Sequence, residues 1–293
     1  MADLTRHDFD GQADMASLLS LVGRARSTDP HASLHPGGLQ WLLRRLGRDD
    51  FAVHRWTDDD ALAGFTVFDS GYVLIQAAHP SVDSYVALLR GTETHHRQLG
   101  ATAVEVSVWE EDGEMLSQLR DLGYESSGTY GQELVHATRV APRRPTLPNG
   151  FSMRWLEPEL DAAYVELHRA AWSTRAPSTY NREMHASVTS MPDFERELVP
   201  IIAAPDGTLA AYCIAWFDPR TRTTEIEPLG TRPEYRRLGL ARAISEEVVR
   251  RSAERGANSV MVWSVDKLPD ARRVYESAGF VGQRMIREYR RNL

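Results

Sequence analysis

Pro142, Pro145, Pro148 and Gly150 fall close together, in a stretch that neither a helix interior nor a central strand absorbs. The chain has 293 residues, so this break leaves two halves of about 140 residues, each long enough for its own core. The expected organisation is a first domain over 1–140, a linker over 141–149 and a second domain over 150–293.

The halves share a pattern near their ends. Gly100 precedes the alternating Val104, Val106 and Val108, then a helical stretch, then Gly123 and Tyr124. Gly256 precedes Val260, Met261 and Val262, then a helical stretch, then Gly279 and Phe280. The glycine spacings agree (123 − 100 = 23 and 279 − 256 = 23). A matched order at a matched spacing argues for a duplicated unit.

Within the second half, 151–156 reads as a strand, and 159–172 as a helix with Leu160, Tyr164, Leu167 and Ala171 on one face. Residues 178–191 read as a second helix with Ser178 as N-cap. Strands are expected over 200–204 and 209–217, around an Asp206-Gly207 turn, and over 223–231. A long helix over 238–255 ends at Gly256, a buried strand follows at 260–264, then a helix over 269–278 and a strand over 281–289. This order predicts an α/β chain of the α+β kind, a mixed sheet flanked by helices.

Acidic residues outnumber basic ones, 41 against 34, for a net charge of −7. Proteins that grip a phosphate backbone carry a basic face, so no nucleic-acid partner is expected. The single cysteine, Cys213, excludes a disulfide framework and a cysteine-rich zinc site, and no metal is expected. No apolar run approaches the ~18 residues of a membrane span, and the polar, acidic start is unlike a secretory signal. The expectation is a cytoplasmic protein with no membrane partner.

The segment from Glu225 to Arg242 carries the chemistry. A strand ends, a loop follows, and a helix opens at Arg236, Gly239 and Ala241, where small residues let a ligand approach the backbone. A helix start offers unpaired N–H groups and a positive dipole end, a ready cradle for pyrophosphate. The pattern lacks the Gly-Lys-Ser/Thr of nucleotide-binding loops and the three glycines of the dinucleotide fingerprint.

Here the chain resembles the GNAT superfamily of acyl-CoA-dependent N-acetyltransferases. Their signature, Gln/Arg-x-x-Gly-x-Gly/Ala, is matched by Arg236, Gly239 and Ala241. Their second block, a helical Tyr before a Gly-Phe turn, is matched by Tyr275, Gly279 and Phe280. Leu268 stands where an Asn is common. The resemblance covers nearly all of 150–293. It implies acetyl-CoA between the splayed strands 223–231 and 260–264, held by Leu229, Gly230 and Thr231 and by the backbone from Arg236 and Arg237 through Leu238, Gly239, Leu240, Ala241 and Arg242. It implies Tyr275 as the acid that protonates the departing thiolate.

An alkyl amine is mostly protonated at neutral pH, so a base is needed. Glu225 and Glu227 alternate along one strand and share a face. Glu225, eleven residues before Arg236, holds the position of the catalytic glutamate in histone acetyltransferases of the superfamily. Glu227, before Pro228 where a strand bulges, is the close second. His168 and His185 read as partly exposed surface residues. Core packing is the reading for Trp172, Tyr180 and Trp216, and burial for Cys213.

The first half has no glycine between His79 and Arg90, and Leu119 stands at the offset of Tyr275. It resembles the degenerate half of tandem-domain GNAT proteins, organised as in mycothiol synthase, whose substrate is not carried over. The expectation is a tandem protein with one acetyl-CoA site, acetylating a primary amine of a small molecule by direct attack in a ternary complex. Two alternatives stand beside it: a non-catalytic acyl-CoA-binding or regulatory module, and a protein lysine or N-terminal acetyltransferase.

Overall fold

Strand periodicity and glycine-terminated helices carry over directly into structure. The computed structural model describes residues 4–139, 144–173, 177–266 and 268–293, so 140–143, at the start of the expected linker, lie outside the described residues. The chain runs β1 (Thr5–Asp8), α1 (Gly11–Thr28), α2 (Pro36–Leu43), β2 (Phe51–Asp58), β3 (Ala61–Asp69), β4 (Tyr72–Ala77), α3 (Val82–Gln98), β5 (Ala103–Trp109), α4 (Gly113–Asp121) and β6 (Glu125–Ala137). It continues through β7 (Ser152–Trp155), α5 (Asp161–Trp172), α6 (Arg182–Thr189), β8 (Pro200–Ala203), β9 (Leu209–Asp218) and β10 (Thr223–Thr231). Helix α7 (Leu240–Glu254), β11 (Ser259–Val265), α8 (Pro269–Ser277) and β12 (Val281–Asn292) complete it.

Two compact units result, and they do not follow chain order. The first comprises the residues up to Pro36, Arg45–Gln132 and Arg284–Leu293; the second comprises Gly37–Arg44 and Glu133–Gln283. Strand β6 leaves the first unit at Gln132, and β12 re-enters it at Arg284.

In the first unit β1 through β4 pair antiparallel in sequence, β4 pairs parallel with β5, and β12 pairs antiparallel with β5 from Ile286↔Trp109 to Asn292↔Ala103. Its core gathers Trp56, Tyr85, Leu88, Val106 and Leu119. The second unit repeats this scheme: β7 through β10 pair antiparallel in sequence, and β10 pairs parallel with β11. This is the mixed, helix-flanked sheet that the sequence predicts.

Strand β9 is buried along almost its whole length, because both faces of the second sheet are covered. Ala211, Cys213 and Ala215 pack with Leu240, Ile244, Val248 and Tyr275 from α7 and α8. Tyr212, Ile214 and Trp216 turn the other way, toward Tyr164, Leu167 and Tyr180. Truncating a fully buried side chain such as Ile244 to Ala costs about 2–5 kcal/mol.

The four glycines of the repeat share one conformation: φ is +92° at Gly100, +81° at Gly123, +83° at Gly256 and +90° at Gly279. Each closes a helix in the left-handed region that residues with a Cβ avoid. One helix start differs from expectation. Helix α6 begins at Arg182, capped by Asn181, whose Oδ1 accepts from the Met184 N–H at 2.8 Å, and not at Ser178. The Ser178 hydroxyl instead accepts from the N–H of Tyr180, whose ring is buried. Among the described residues no helix is long and apolar enough to cross a membrane.

Candidate active site

The site forms where two parallel strands stop pairing. Strand β10 meets β11 at Thr223↔Ser259, Thr224↔Val260 and Glu225↔Met261, and among the described residues the ladder ends there. On its other edge β10 keeps pairing with β9, with a register shift between Ile226↔Ala215 and Leu229↔Cys213. That extra residue is the bulge expected at Pro228.

Glu225 is buried, and its Oε2 accepts the backbone N–H of Gly38 at 2.5 Å. Glu227 is half-buried. Enclosure first, and then the Glu225 charge, push the Glu227 carboxyl up to about 7, against the pull of Arg44. Tyr275, on α8, is 6% exposed. Burial, with Glu227 and Cys213 nearby, pushes its phenol further above its ordinary value. Cys213 is fully buried and its thiol is pushed well up, which leaves it unreactive as an acyl carrier. Glu227 thus titrates near neutrality, while the Tyr275 phenol, within reach of its charge, stays protonated.

The start of α7 lies at the far end of β10. Gly239 has φ +79°, a conformation that admits glycine readily, and a Cβ there would meet nothing within 4 Å. No side chain caps the first turn of α7, and no acidic residue stands in it. Arg237 holds φ +63°, an uncommon state for a residue with a side chain. Arg237, Leu238 and Arg242 are exposed, Ala241 is half-buried and Leu240 is buried.

Two of the arginines are engaged elsewhere. Arg236 donates to the carbonyls of Thr231 at 3.2 Å and Ala171 at 2.9 Å, tying the loop to β10 and α5. Arg242 donates to Glu246 at 2.7 Å along the helix. On β10, Leu229 packs on the core beside α7, while the buried Thr231 hydroxyl has no hydrogen-bond partner. Gly230 is a packing glycine, since a Cβ there would fall 2.6 Å from the Tyr212 ring and 3.0 Å from the Ala171 Cβ.

The corresponding helix of the first unit is closed to an anion. Ser81 caps α3, its hydroxyl accepting from the Ser84 N–H at 3.2 Å, and Asp83 occupies the first turn. Leu119 is fully buried in α4.

Residues 162–280 match the acetyltransferase (GNAT) family. The chain carries a GNAT domain. No curated protein matches the sequence. Among solved structures, the chain is similar to a tandem GNAT protein from the clavulanic acid biosynthesis pathway, with TM-score 0.67 and 15% identity over 99% of this chain and 98% of that one. It is also similar to a GCN5-related N-acetyltransferase from Sphaerobacter thermophilus, with TM-score 0.63 and 20% identity over 99% and 95% of the two chains. A GNAT-family acetyltransferase from Colwellia psychrerythraea gives 0.59 at 15% identity, over 98% and 99%. Likeness at these identities is a likeness of fold, and it extends over both units.

The GNAT domain also draws on residues that sequence reasoning passed over. Residues Gly37–Arg44, most of helix α2 and the residue after it, belong to the second unit and supply Gly38, Trp41 and Arg44. Arg44 stacks 3.7 Å above the Trp41 ring, and Trp41 lies 5.7 Å from His168 and 5.8 Å from Tyr180 between ring centroids. His168 and His185 are buried, not surface residues, because α5 and α6 turn them into this aromatic cluster. Both nitrogens of His168 lack hydrogen-bond partners, and burial holds its pKa down to about 3. Tyr180 and Trp216 are core residues as expected, whereas Trp172 is 42% exposed and donates to the Tyr212 hydroxyl at 2.8 Å. The apolar run of Leu39, Trp41, Leu42 and Leu43 after Pro36 was the available signal for α2.

Proposed function

We propose that the second unit transfers an acetyl group from acetyl-CoA to a primary amine of a small molecule, by direct attack within a ternary complex. The observation that carries this reading is that Glu227, beyond the end of the β10–β11 ladder, lies near enough to Tyr275 for its charge to act on the phenol. Titratable groups whose surroundings push their proton affinities apart are the pattern of an acid and a base. The uncapped, acid-free start of α7 supports a pyrophosphate there, and the exposed Arg237 adds positive charge beside it.

In this scheme Glu227, as carboxylate, takes a proton from the amine nitrogen as that nitrogen attacks the thioester carbonyl carbon. The carbon–sulfur bond breaks, and Tyr275 gives its proton to the leaving thiolate. The products are an amide and the free thiol of CoA, and a proton passing from Glu227 to Tyr275 through solvent restores both groups. Backbone N–H groups of β10 beyond the bulge, at Leu229 and Thr231, would stabilise the oxyanion. Glu225, buried against Gly38, serves in this reading to raise Glu227 and not as the base.

The test is thiol release from acetyl-CoA by the full chain across a panel of small primary amines, beside a binding measurement. Amine-dependent release is expected, falling about 100-fold in Tyr275→Phe while acetyl-CoA affinity is kept. Acetyl-CoA binding without release from any amine would leave the non-catalytic module as the better reading. Release only with lysine-bearing peptides would favour a protein acetyltransferase.

A further inference from the structure

The first unit lacks the features of the acetyl-CoA site, yet it assembles a different constellation. His54 on β2 and His95 and His96 at the end of α3 each offer a ring nitrogen, and the three nitrogens lie within 4.8 Å of one another. His54 Nε2 and His96 Nε2 are 3.1 Å apart. Two nitrogens bound to one tetrahedral zinc at about 2.0–2.1 Å stand roughly 3.4 Å apart, so this pair needs little adjustment.

The rings are also held in place. Phe68 stacks on His96 with centroids 3.6 Å apart, and His95 meets His54 edge-on at 5.0 Å. Metal-bound histidines ordinarily give their second N–H to a carboxylate, and Asp8 Oδ1 lies 3.8 Å from His54 Nδ1. Arg6 Nη1 is 3.2 Å from the same nitrogen and also pairs with Asp8, so it must yield when Nδ1 carries the proton. A cavity of about 500 Å³ opens against the three histidines and is lined also by Asp49, Glu105 and Arg290. It leaves room for a fourth, exchangeable ligand.

We propose that His54, His95 and His96 form a site for a divalent transition metal of the zinc class, with its fourth position open to this cavity. Imidazole donors select such borderline metals over calcium or magnesium, which take oxygen. The site is independent of acetyl transfer by the second unit, and its test reads metal and not turnover.

The untagged full chain, stripped with a chelator, is titrated with Zn²⁺ by calorimetry, and with Co²⁺ as a probe whose visible bands report coordination. One Zn²⁺ per chain is expected, with Co²⁺ bands of a four-coordinate site. His54→Gln should lose more than 100-fold in affinity, and Asp8→Asn about 10–100-fold. Arg6→Gln should bind more tightly, because a competing cation is removed. If His54→Gln does not fold, His95→Gln decides, since the His95 ring is only half-buried. Failure to bind one equivalent of Zn²⁺, or affinity unchanged in His95→Gln, overturns the site.

Discussion

The backbone N–H of Gly38 donates to Oε2 of Glu225 at 2.5 Å, and a Cβ at residue 38 would fall 2.6 Å from that oxygen. The neighbouring Gly37 is tighter still, with a Cβ 2.0 Å from the Trp216 Cβ. A carboxylate can swing aside, whereas the Cβ of a buried Trp moves only with its strand. Gly37→Ala is therefore expected to cost at least about 2 kcal/mol, and Gly38→Ala less. Urea denaturation of the two variants checks the order. A larger loss in Gly38→Ala would show that the Glu225 contact is the more rigid one.

In the proposed reaction Glu227 links catalysis and stability through one proton. Its pKa of about 7 predicts that kcat/KM rises through pH 7 as the carboxylate forms, and that Glu227→Gln lowers and flattens this rise. Because the folded protein holds this proton more tightly than the unfolded chain, stability falls as pH climbs from about 4.5 through 7. Glu227→Gln should accordingly be more stable than the parent at pH 8, by up to about 3 kcal/mol, and equal to it near pH 4. If Glu225→Gln loses the pH-dependent limb and Glu227→Gln keeps it, the base is Glu225.

The start of α7 should respond in steps. Gly239→Ala meets no steric obstacle but must hold φ +79°, so acetyl-CoA binding weakens without vanishing. Gly239→Asp adds a negative charge beside the anion and should abolish binding. Calorimetry on the parent should give one acetyl-CoA per chain, since Ser81 and Asp83 occupy the equivalent helix start of the first unit. Two equivalents, or binding that survives Gly239→Asp, would contradict this.

His168 carries two buried nitrogens without partners, so His168→Phe should stabilise the protein. The depressed pKa, about 3 against 6.5, means that the unfolded chain binds the proton more readily. Stability is thus lost as pH falls from 6.5 toward 3, by as much as about 4–5 kcal/mol for this group alone. The Phe variant should show a gain in Tm that widens below pH 6.5. A drop in Tm at pH 7.5 would mean that the imidazole makes a polar contact in solution.

What could be read from sequence was whatever lay in one segment. Strand β10 coincides with the expected 223–231, and the repeat glycines adopt the left-handed conformation their positions call for. The candidate acid, the two glutamates and the loop before α7 could be named from sequence, because each belongs to a short local pattern. The assignment of α2 to the second unit was not, since it rests on packing between Gly37 and Trp216, residues far apart in the chain. The preference between Glu225 and Glu227 also depends on burial, which a shared strand face does not disclose. The histidine cluster was hidden for the same reason: His54 and His96 meet only after β2 and α3 have packed.

Strand β12 is made by the last residues of the chain, yet it completes the sheet of the unit built from the first. The duplication visible in the glycine spacing is therefore no longer divisible. A gene cut at the proline-rich linker would encode an amino-terminal fragment whose β5 edge, with Val104, Val106 and Val108, had lost its neighbour. Each unit thus keeps a strand segment from the other half of the sequence, Glu133–Ala137 in the second and Arg284–Asn292 in the first, so neither half of the gene encodes a unit whole.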